Sequence, residues 1–252
     1  MIDFHSHILP GLDDGIATFD EALTTIREAK KAGFNKIIAT THYYSGDNFI
    51  ANEEERKNVL QKLNESVSGI EIVLGNEIYV NGHIDELIKN KEASTINNSK
   101  YILFEIPLQG EYYELKNVIF NLISNGYKLV LAHPERYKIF QEDPRRLEEI
   151  IDLGVYLQAN YLSILGFYGK DAERTVELLY KHDMISFIGT DVHKANRYYP
   201  KVSDAANKII SIIGEEKFEE LSSLNPEAVI NNEDVDVAEY FSIEKGLFGK
   251  YK

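Results

Sequence analysis

Short apolar runs recur along the chain, each followed by a longer stretch of helical period, and this alternation restricts the fold to repeated βα units around a parallel sheet. Seven such runs stand out, at 2–4, 36–40, 71–74, 101–104, 128–131, 155–158 and 186–188. Each is rich in the β-branched or aromatic residues that suit buried strands. Helices are expected at 19–32 and 53–68, which end before Gly33 and Gly69, and at 83–90, 112–124, 144–153, 170–182 and 201–213, with a shorter one at 215–222. No linker, low-complexity block or repeat beyond the βα rhythm divides the 252 residues, so one domain over 1–252 is the simplest organisation. That length suits a single α/β barrel. The tail from residue 225 carries no expected element.

The residues that end the runs are almost all metal-binding types. His5 and His7 follow the first run, His42 the second and Glu77 the third. Glu105 ends the fourth, His133 the fifth, and the seventh leads into Asp191 and His193; the sixth ends in Gln158-Ala159-Asn160. In a closed parallel barrel the C-terminal strand ends converge on one rim, so residues far apart in sequence become neighbours. Alternate strand residues share a face, which lets both imidazoles of His5-Ser6-His7 reach one cation, and the same holds for Asp191 and His193. Five of the seven histidines occupy strand ends, beside acids whose burial would be costly without a partner. A metal site follows. His83 and His182 are read instead as solvated or helix-capping residues. Imidazole and carboxylate ligation without thiolate suits zinc, manganese or iron, and the ligand types do not choose among them. So many ligands exceed one ion's needs and would serve two or three ions sharing carboxylates, an arrangement suited to phosphoryl transfer.

Composition removes alternatives. A net charge of −14 argues against a nucleic-acid surface, so an anionic substrate must be met locally, by bound cations. The chain has no cysteine, which excludes disulfides, thiolate ligation and a cysteine nucleophile. It opens without a signal-peptide pattern and holds no apolar run of about 18 residues, so a soluble, cytoplasmic protein without membrane insertion is expected.

The opening segment, Met1-Ile2-Asp3-Phe4-His5-Ser6-His7-Ile8-Leu9-Pro10-Gly11-Leu12-Asp13-Asp14-Gly15, resembles that of bacterial metal-dependent protein-tyrosine phosphatases of capsule and exopolysaccharide synthesis. These belong to the polymerase and histidinol phosphatase (PHP) superfamily. The similarity continues through Ala39-Thr40-Thr41-His42, Gly75-Asn76-Glu77-Ile78, Phe104-Glu105-Ile106-Pro107, Ala132-His133-Pro134-Glu135-Arg136-Tyr137, Gly189-Thr190-Asp191-Val192-His193 and a Gly-Leu-Phe-Gly end at 246–249. The resemblance implies a distorted seven-stranded TIM-like (β/α)7 barrel with a trinuclear metal centre. It implies His5, His7, Asp14, His42, Glu77, Glu105, His133, Asp191 and His193 as ligands. From the residues alone, Asp13-Asp14-Gly15 reads only as a turn. The implied grouping is His5, His7, Glu77 and Asp191 on one ion, Glu77, Glu105 and His133 on a second, and Asp14, His42 and His193 on a third, with Mn2+ as the expected metal and iron, zinc or magnesium as other candidates.

Arg136 and Arg197 resemble the family's phosphate-contacting arginines, although the family places the second seven residues after the aspartate and here Arg197 is six after Asp191. A solvated surface arginine is the alternative reading of Arg197. The implied reaction is hydrolysis of a phosphotyrosyl protein, the tail of a bacterial tyrosine kinase, by metal-activated water. Tyr43, Tyr44, Tyr161 and Tyr168 follow strands and are candidates for an aromatic pocket wall. Competing expectations are a PHP phosphoesterase acting on histidinol phosphate or another small monoester, an amidohydrolase-type hydrolase, and a metal-bound module that docks on a kinase.

Overall fold

The computed structural model describes residues 1–80, 83–110, 113–245 and 251. The first half of the chain runs β1 (Ile2–Ser6), α1 (Phe19–Lys31), β2 (Lys36–Ala39), β3 (His42–Tyr43), α2 (Glu53–Ser66), β4 (Glu71–Leu74), β5 (Glu77–Tyr79), α3 (Ile84–Lys89), β6 (Tyr101–Glu105) and α4 (Leu115–Ser124). It continues with β7 (Lys128–Ala132), α5 (Lys138–Glu142), α6 (Arg146–Asp152), β8 (Tyr156–Asn160), α7 (Lys170–Lys181), β9 (Phe187–Gly189), α8 (Val202–Ile213), α9 (Glu215–Glu219) and α10 (Asn225–Ile230).

Helix starts follow from local chemistry. Thr18 accepts the Glu21 amide at the head of α1, and Asn52 and Glu55 form a reciprocal capping box at the head of α2. Acidic side chains fill both first turns, where the helix dipole favours them.

All the strand pairs are parallel, in a sheet of order β1-β2-β4 and a second of order β3-β5-β6-β7-β8-β9. Thr40-Thr41 separates β2 from β3, and Gly75-Asn76 separates β4 from β5. These two breaks lie side by side, because the Gly75 amide donates to Ala39 O at 2.9 Å and the Glu77 amide to Thr40 O at 3.1 Å. At the other edge β1 meets the segment after β9: the Asp191 amide donates to His5 O at 2.8 Å, and Ser6 bridges Val192 in parallel. The architecture is an α/β fold on a curled parallel sheet.

Strand alternation divides the core. Phe4, Ile38, Val73, Leu103, Val130, Tyr156 and Phe187 pack together across the concave side, with Phe4 and Phe187 stacked at 4.2 Å between ring centroids. Their neighbours Ile37, Ile72, Ile102, Leu129, Leu131, Leu157 and Ile188 join the cluster that includes the helices.

The seven expected runs all lie on or overlap strands, and the two breaks add β3 and β5 beyond them. The helix expected at 112–124 starts at Leu115 among the described residues, and α5 was not expected. The helix expected at 215–222 ends at Glu219, continues as a π turn and runs into α10, so the tail opens with a helix where no element was expected. The Gly-Leu-Phe-Gly end at 246–249 lies outside the described residues.

Candidate metal centre

The nine side chains singled out in the sequence converge where the strands end. His5 and His7, alternate residues at the end of β1, face their Nε2 atoms at each other 3.1 Å apart. Glu77 Oε2 lies 3.2 Å from His5 Nε2, 3.3 Å from His7 Nε2 and 3.1 Å from His42 Nδ1. Asp191 Oδ1 stands 3.7 Å from His5 Nε2 and 3.4 Å from His7 Nε2. His133 Nε2 is 2.8 Å from Glu77 Oε1, and Glu105 Oε1 is 3.4 Å from His42 Nδ1. Asp14 Oδ1 lies 3.5 Å from both His42 Nε2 and His193 Nε2.

Three sets have donor atoms close enough to hold an ion: His5, His7 and Glu77; His42, Glu77 and Glu105; and His7, Asp14, His42 and His193. The grouping differs from the implied one in four respects: Asp191 is absent from the first set and His133 from the second, His42 joins the second set, and His7 joins the outer set with Asp14.

Partners behind the rings fix their orientation. His5 Nδ1 donates to Gln158 Oε1 at 2.8 Å, His7 Nδ1 to Asp13 Oδ2 at 2.8 Å, and His193 Nδ1 to Asp191 O at 2.9 Å. A ring that donates through Nδ1 keeps the Nε2 lone pair for a cation, the usual device behind histidine ligands. Sequence reasoning missed Asp13, Gln158 and Asn160. Asp13 also accepts the His42 amide at 2.9 Å, and Asn160 donates to Asp191 Oδ2 at 2.8 Å. The run that ended without a ligand therefore supplies orienting partners, and strand position was the available signal.

The polar atoms test the fit to a cation. Glu77 Oε2, Asp191 Oδ1, His42 Nδ1 and His133 Nδ1 are buried without a hydrogen-bond partner. Buried polar atoms are ordinarily paired, and the first three of these point at one another's sets, so the donor chemistry fits divalent cations. Burial pushes the Glu77 and Asp191 carboxyls up, but the surrounding His5, His42 and His133 for Glu77, and Arg136, His5 and His193 for Asp191, outweigh it and hold both well below the usual range. Glu105 goes the other way, raised well above its ordinary value by burial and then by the charge of Glu77. Burial, followed by nearby Arg136, lowers His133 to about 4. Glu105, crowded by a second carboxylate, is the acid that a nearby cation would stabilise most.

The backbone is shaped to the same end. His133 and Asp191 have φ of 36° and 53°, an uncommon region for non-glycine residues that turns each side chain inward from its strand end. A Cβ on Gly15 would lie 2.4 Å from His7 Cβ, and one on Gly189 2.6 Å from His5 Cβ, so glycine is required at both.

A cavity of about 510 Å³ opens over these groups. Its lining includes Arg136, whose Nη1 donates to Asp191 Oδ2 at 2.6 Å while its guanidinium lies 4.7 Å over the Tyr168 ring. Arg197 is exposed, rests 4.9 Å over the Phe167 ring and is absent from the lining. Of the tyrosines considered, Tyr44 lines the cavity, stacked at 4.1 Å on Tyr79. Tyr168 flanks Asp191, its hydroxyl 3.5 Å from Oδ2. Tyr43 points instead to Glu92, and Tyr161 is buried against Phe34 and Phe218. Phe49, stacked on His42 at 5.7 Å, completes the aromatic wall. His83 is exposed beside Glu86, and His182 donates through Nδ1 to Phe241 O at 2.7 Å, both outside the centre.

Known proteins resemble this chain in sequence and fold. A family model for capsular polysaccharide synthesis, CpsB/CapC, matches residues 1–231. Tyrosine-protein phosphatase CpsB of Streptococcus agalactiae is 28% identical over 240 residues, 92% of this chain and 99% of that protein. Tyrosine-protein phosphatase YwqE of Bacillus subtilis is 30% identical over 197 residues, 77% of each chain. A crystal structure from work on YwqE of B. subtilis and CpsB of Streptococcus pneumoniae, described as unique metal-dependent tyrosine phosphatases, superposes with a TM-score of 0.90 at 26% identity, covering 97% of this chain and 100% of that one. An inactive dihydroorotase-like domain from Chaetomium thermophilum, with a TM-score of 0.53 at 11% identity over 92% of this chain and 79% of that one, shares the fold alone.

Proposed function

This chain belongs to the CpsB/CapC family of capsular polysaccharide synthesis, and from that premise we propose that it is a metal-dependent protein-tyrosine phosphatase acting through the strand-end centre. The observation that carries the reading is Glu77 Oε2: it is buried, accepts no hydrogen bond, and lies within 3.3 Å of imidazole nitrogens from His5, His7 and His42.

In this reading the nine residues hold two or three divalent ions, with Mn2+ the proposed metal. His5, His7, Glu77 and Asp191 take one, His42, Glu77, Glu105 and His133 another, and His7, Asp14, His42 and His193 the outermost. The two interrupted strands, counted as β2 with β3 and β4 with β5, make the sheet a distorted seven-stranded barrel, and residues 1–252 are one catalytic domain.

When bound, divalent ions supply charge for the phosphoryl oxygens and acidify water. The chain does the rest. Asp13, Gln158 and the Asp191 carbonyl keep three imidazoles aimed at the centre before substrate arrives, so little reorganisation remains for the reaction. Arg136, held by Asp191 and Tyr168, presents its remaining N–H donors to the phosphoryl oxygens. Arg197, outside the cavity on Phe167, is proposed as a weaker second contact. Tyr44, Tyr79 and Phe49 form a wall for the phenyl ring. Phenolate leaves readily, having a parent pKa of about 10, so a strong general acid is not needed. The proposed substrate is the phosphotyrosyl tail of a bacterial tyrosine kinase, met in the cytoplasm where ATP-dependent phosphorylation occurs.

Purified protein loaded with Mn2+ is assayed on phosphotyrosyl peptides and on histidinol phosphate. The proposal expects the peptides to turn over faster; a clear preference for histidinol phosphate overturns it. Glu105→Ala and His133→Ala variants that lose turnover but still bind the kinase tail separate catalysis from docking.

A further inference from the structure

The two strand breaks that bring His42 and Glu77 to the centre leave main-chain carbonyls outside the regular ladder. One side chain from α2 reaches them. Arg56 is fully buried, donates from Nη1 to Gly75 O at 2.7 Å and to Ser94 Oγ at 2.9 Å, and from Nε to Ala51 O at 3.2 Å. No carboxylate oxygen lies within ion-pair distance of it among the described residues, and Nη2 has no partner. A buried guanidinium with no carboxylate in direct contact is costly, and burial, only partly offset by the more distant charge of Glu53, lowers its pKa to about 10.

The contacts continue as a relay. Ser94 donates its amide to Asn76 Oδ1 at 2.8 Å, and its hydroxyl lies 3.4 Å from the same atom. Asn76 Nδ2 donates to Thr41 O at 2.7 Å. The Glu77 amide then donates to both Thr40 O and Thr41 O, at 3.1 and 3.2 Å. Arg56, Ser94 and Asn76 thus connect the helix to both breaks, one residue short of His42 on one strand and of Glu77 on the other.

We infer that Arg56 is a positioning residue for the metal centre: through Gly75 O and the Ser94–Asn76 relay it fixes the kinks that aim His42 and Glu77 at the ions. The inference rests on the proposed metal-binding role of those two residues. A guanidinium is suited to the task because its fork reaches separate acceptors that a single ammonium would not span. The buried charge is retained for geometry at the breaks.

The test uses Arg56→Met, Arg56→Lys and Ser94→Ala in the full chain, read by native-state hydrogen exchange of the metal-free protein and by Mn2+ titration. In Arg56→Met the amides of Gly75 and Glu77 exchange about tenfold faster relative to those of Val130 and Leu131 in β7, and Mn2+ affinity falls about tenfold. Arg56→Lys restores part of both effects. If exchange rises equally in β7, or if Mn2+ affinity is unchanged, Arg56 is merely a core residue and the inference fails. Ser94→Ala, a milder change, decides the matter in the same two readouts if Arg56→Met does not fold. Wild-type protein that binds no Mn2+ contradicts the proposed function, while the exchange comparison still decides the role of Arg56.

Discussion

The same strands end in opposite ways. At their N-terminal ends, Tyr101 of β6 and Tyr156 of β8 lie 5.8 Å apart under Lys128, and the chain after α10 closes over them. Tyr101 donates to Glu233 O at 3.0 Å and accepts the Val235 amide at 2.9 Å; Tyr156 donates to Val235 O at 2.6 Å; Lys128 meets Asp234 at 2.8 Å. The tyrosine hydroxyls and the ammonium are all partnered within the protein. At the C-terminal ends, buried carboxylate and imidazole atoms stand unpaired, acids crowd acids, and His133 and Asp191 adopt positive φ. One face of the sheet is built for stability and the other holds its polar groups ready for a ligand, as the two faces of parallel barrels generally divide.

Substitutions at the two ends should therefore change different quantities. Glu77→Ala, which removes a carboxylate shared between sets, is expected to lower kcat/KM on a phosphotyrosyl peptide by about a thousandfold or more, measured at saturating Mn2+. Arg136→Met should cost about a hundredfold, chiefly in kcat, because it removes donors to the phosphoryl oxygens and leaves the carboxylates in place. Asp13→Asn, which weakens the hold on His7, should reduce Mn2+ affinity by about 10- to 100-fold in a direct titration.

At the opposite end, Tyr156→Phe deletes a hydroxyl bonded to Val235 and should destabilise the fold by about 1 kcal/mol in a denaturant titration, with kcat/KM unchanged. A large activity loss there would erase the contrast. A further effect concerns acid. Burial pushes Asp13 up, but His7 and the His42 amide outweigh it and hold its pKa at about 2. A carboxylate lowered on folding from about 3.9 contributes stability that is complete above that value and is lost as pH falls through the folded pKa, a matter of about 2 kcal/mol. Metal-free wild type should thus lose its advantage over Asp13→Asn between about pH 4 and pH 2 in acid unfolding.

Much of this was legible in the chain because strands advertise themselves as apolar runs and the residue after each run is fixed by topology. His5, His7, His42, Glu77, Glu105, His133, Asp191 and His193 were singled out that way. The breaks were not. β3 and β5 are two and three residues long and begin on His42 and Glu77, so neither has the apolar run that marks a strand. Asp13 and Asp14 are identical neighbours in a turn, and their separation into a His7 partner and a residue facing His42 and His193 depends on contacts across space. Gln158 and Asn160 carry no charge to draw attention at the end of β8. Arg56 sits in Glu53-Glu54-Glu55-Arg56-Lys57, which reads as a solvated helix face; only the tertiary fold shows that its guanidinium turns inward to Gly75.

The central claim is that the strand-end residues hold metal on which turnover depends. The direct measurement is metal content of the purified protein together with hydrolysis of a phosphotyrosyl peptide before chelation, after chelation and after restoring Mn2+. The account predicts two or three ions per chain, loss of activity with their removal and recovery on addition. Full activity in protein shown to be free of metal would contradict it.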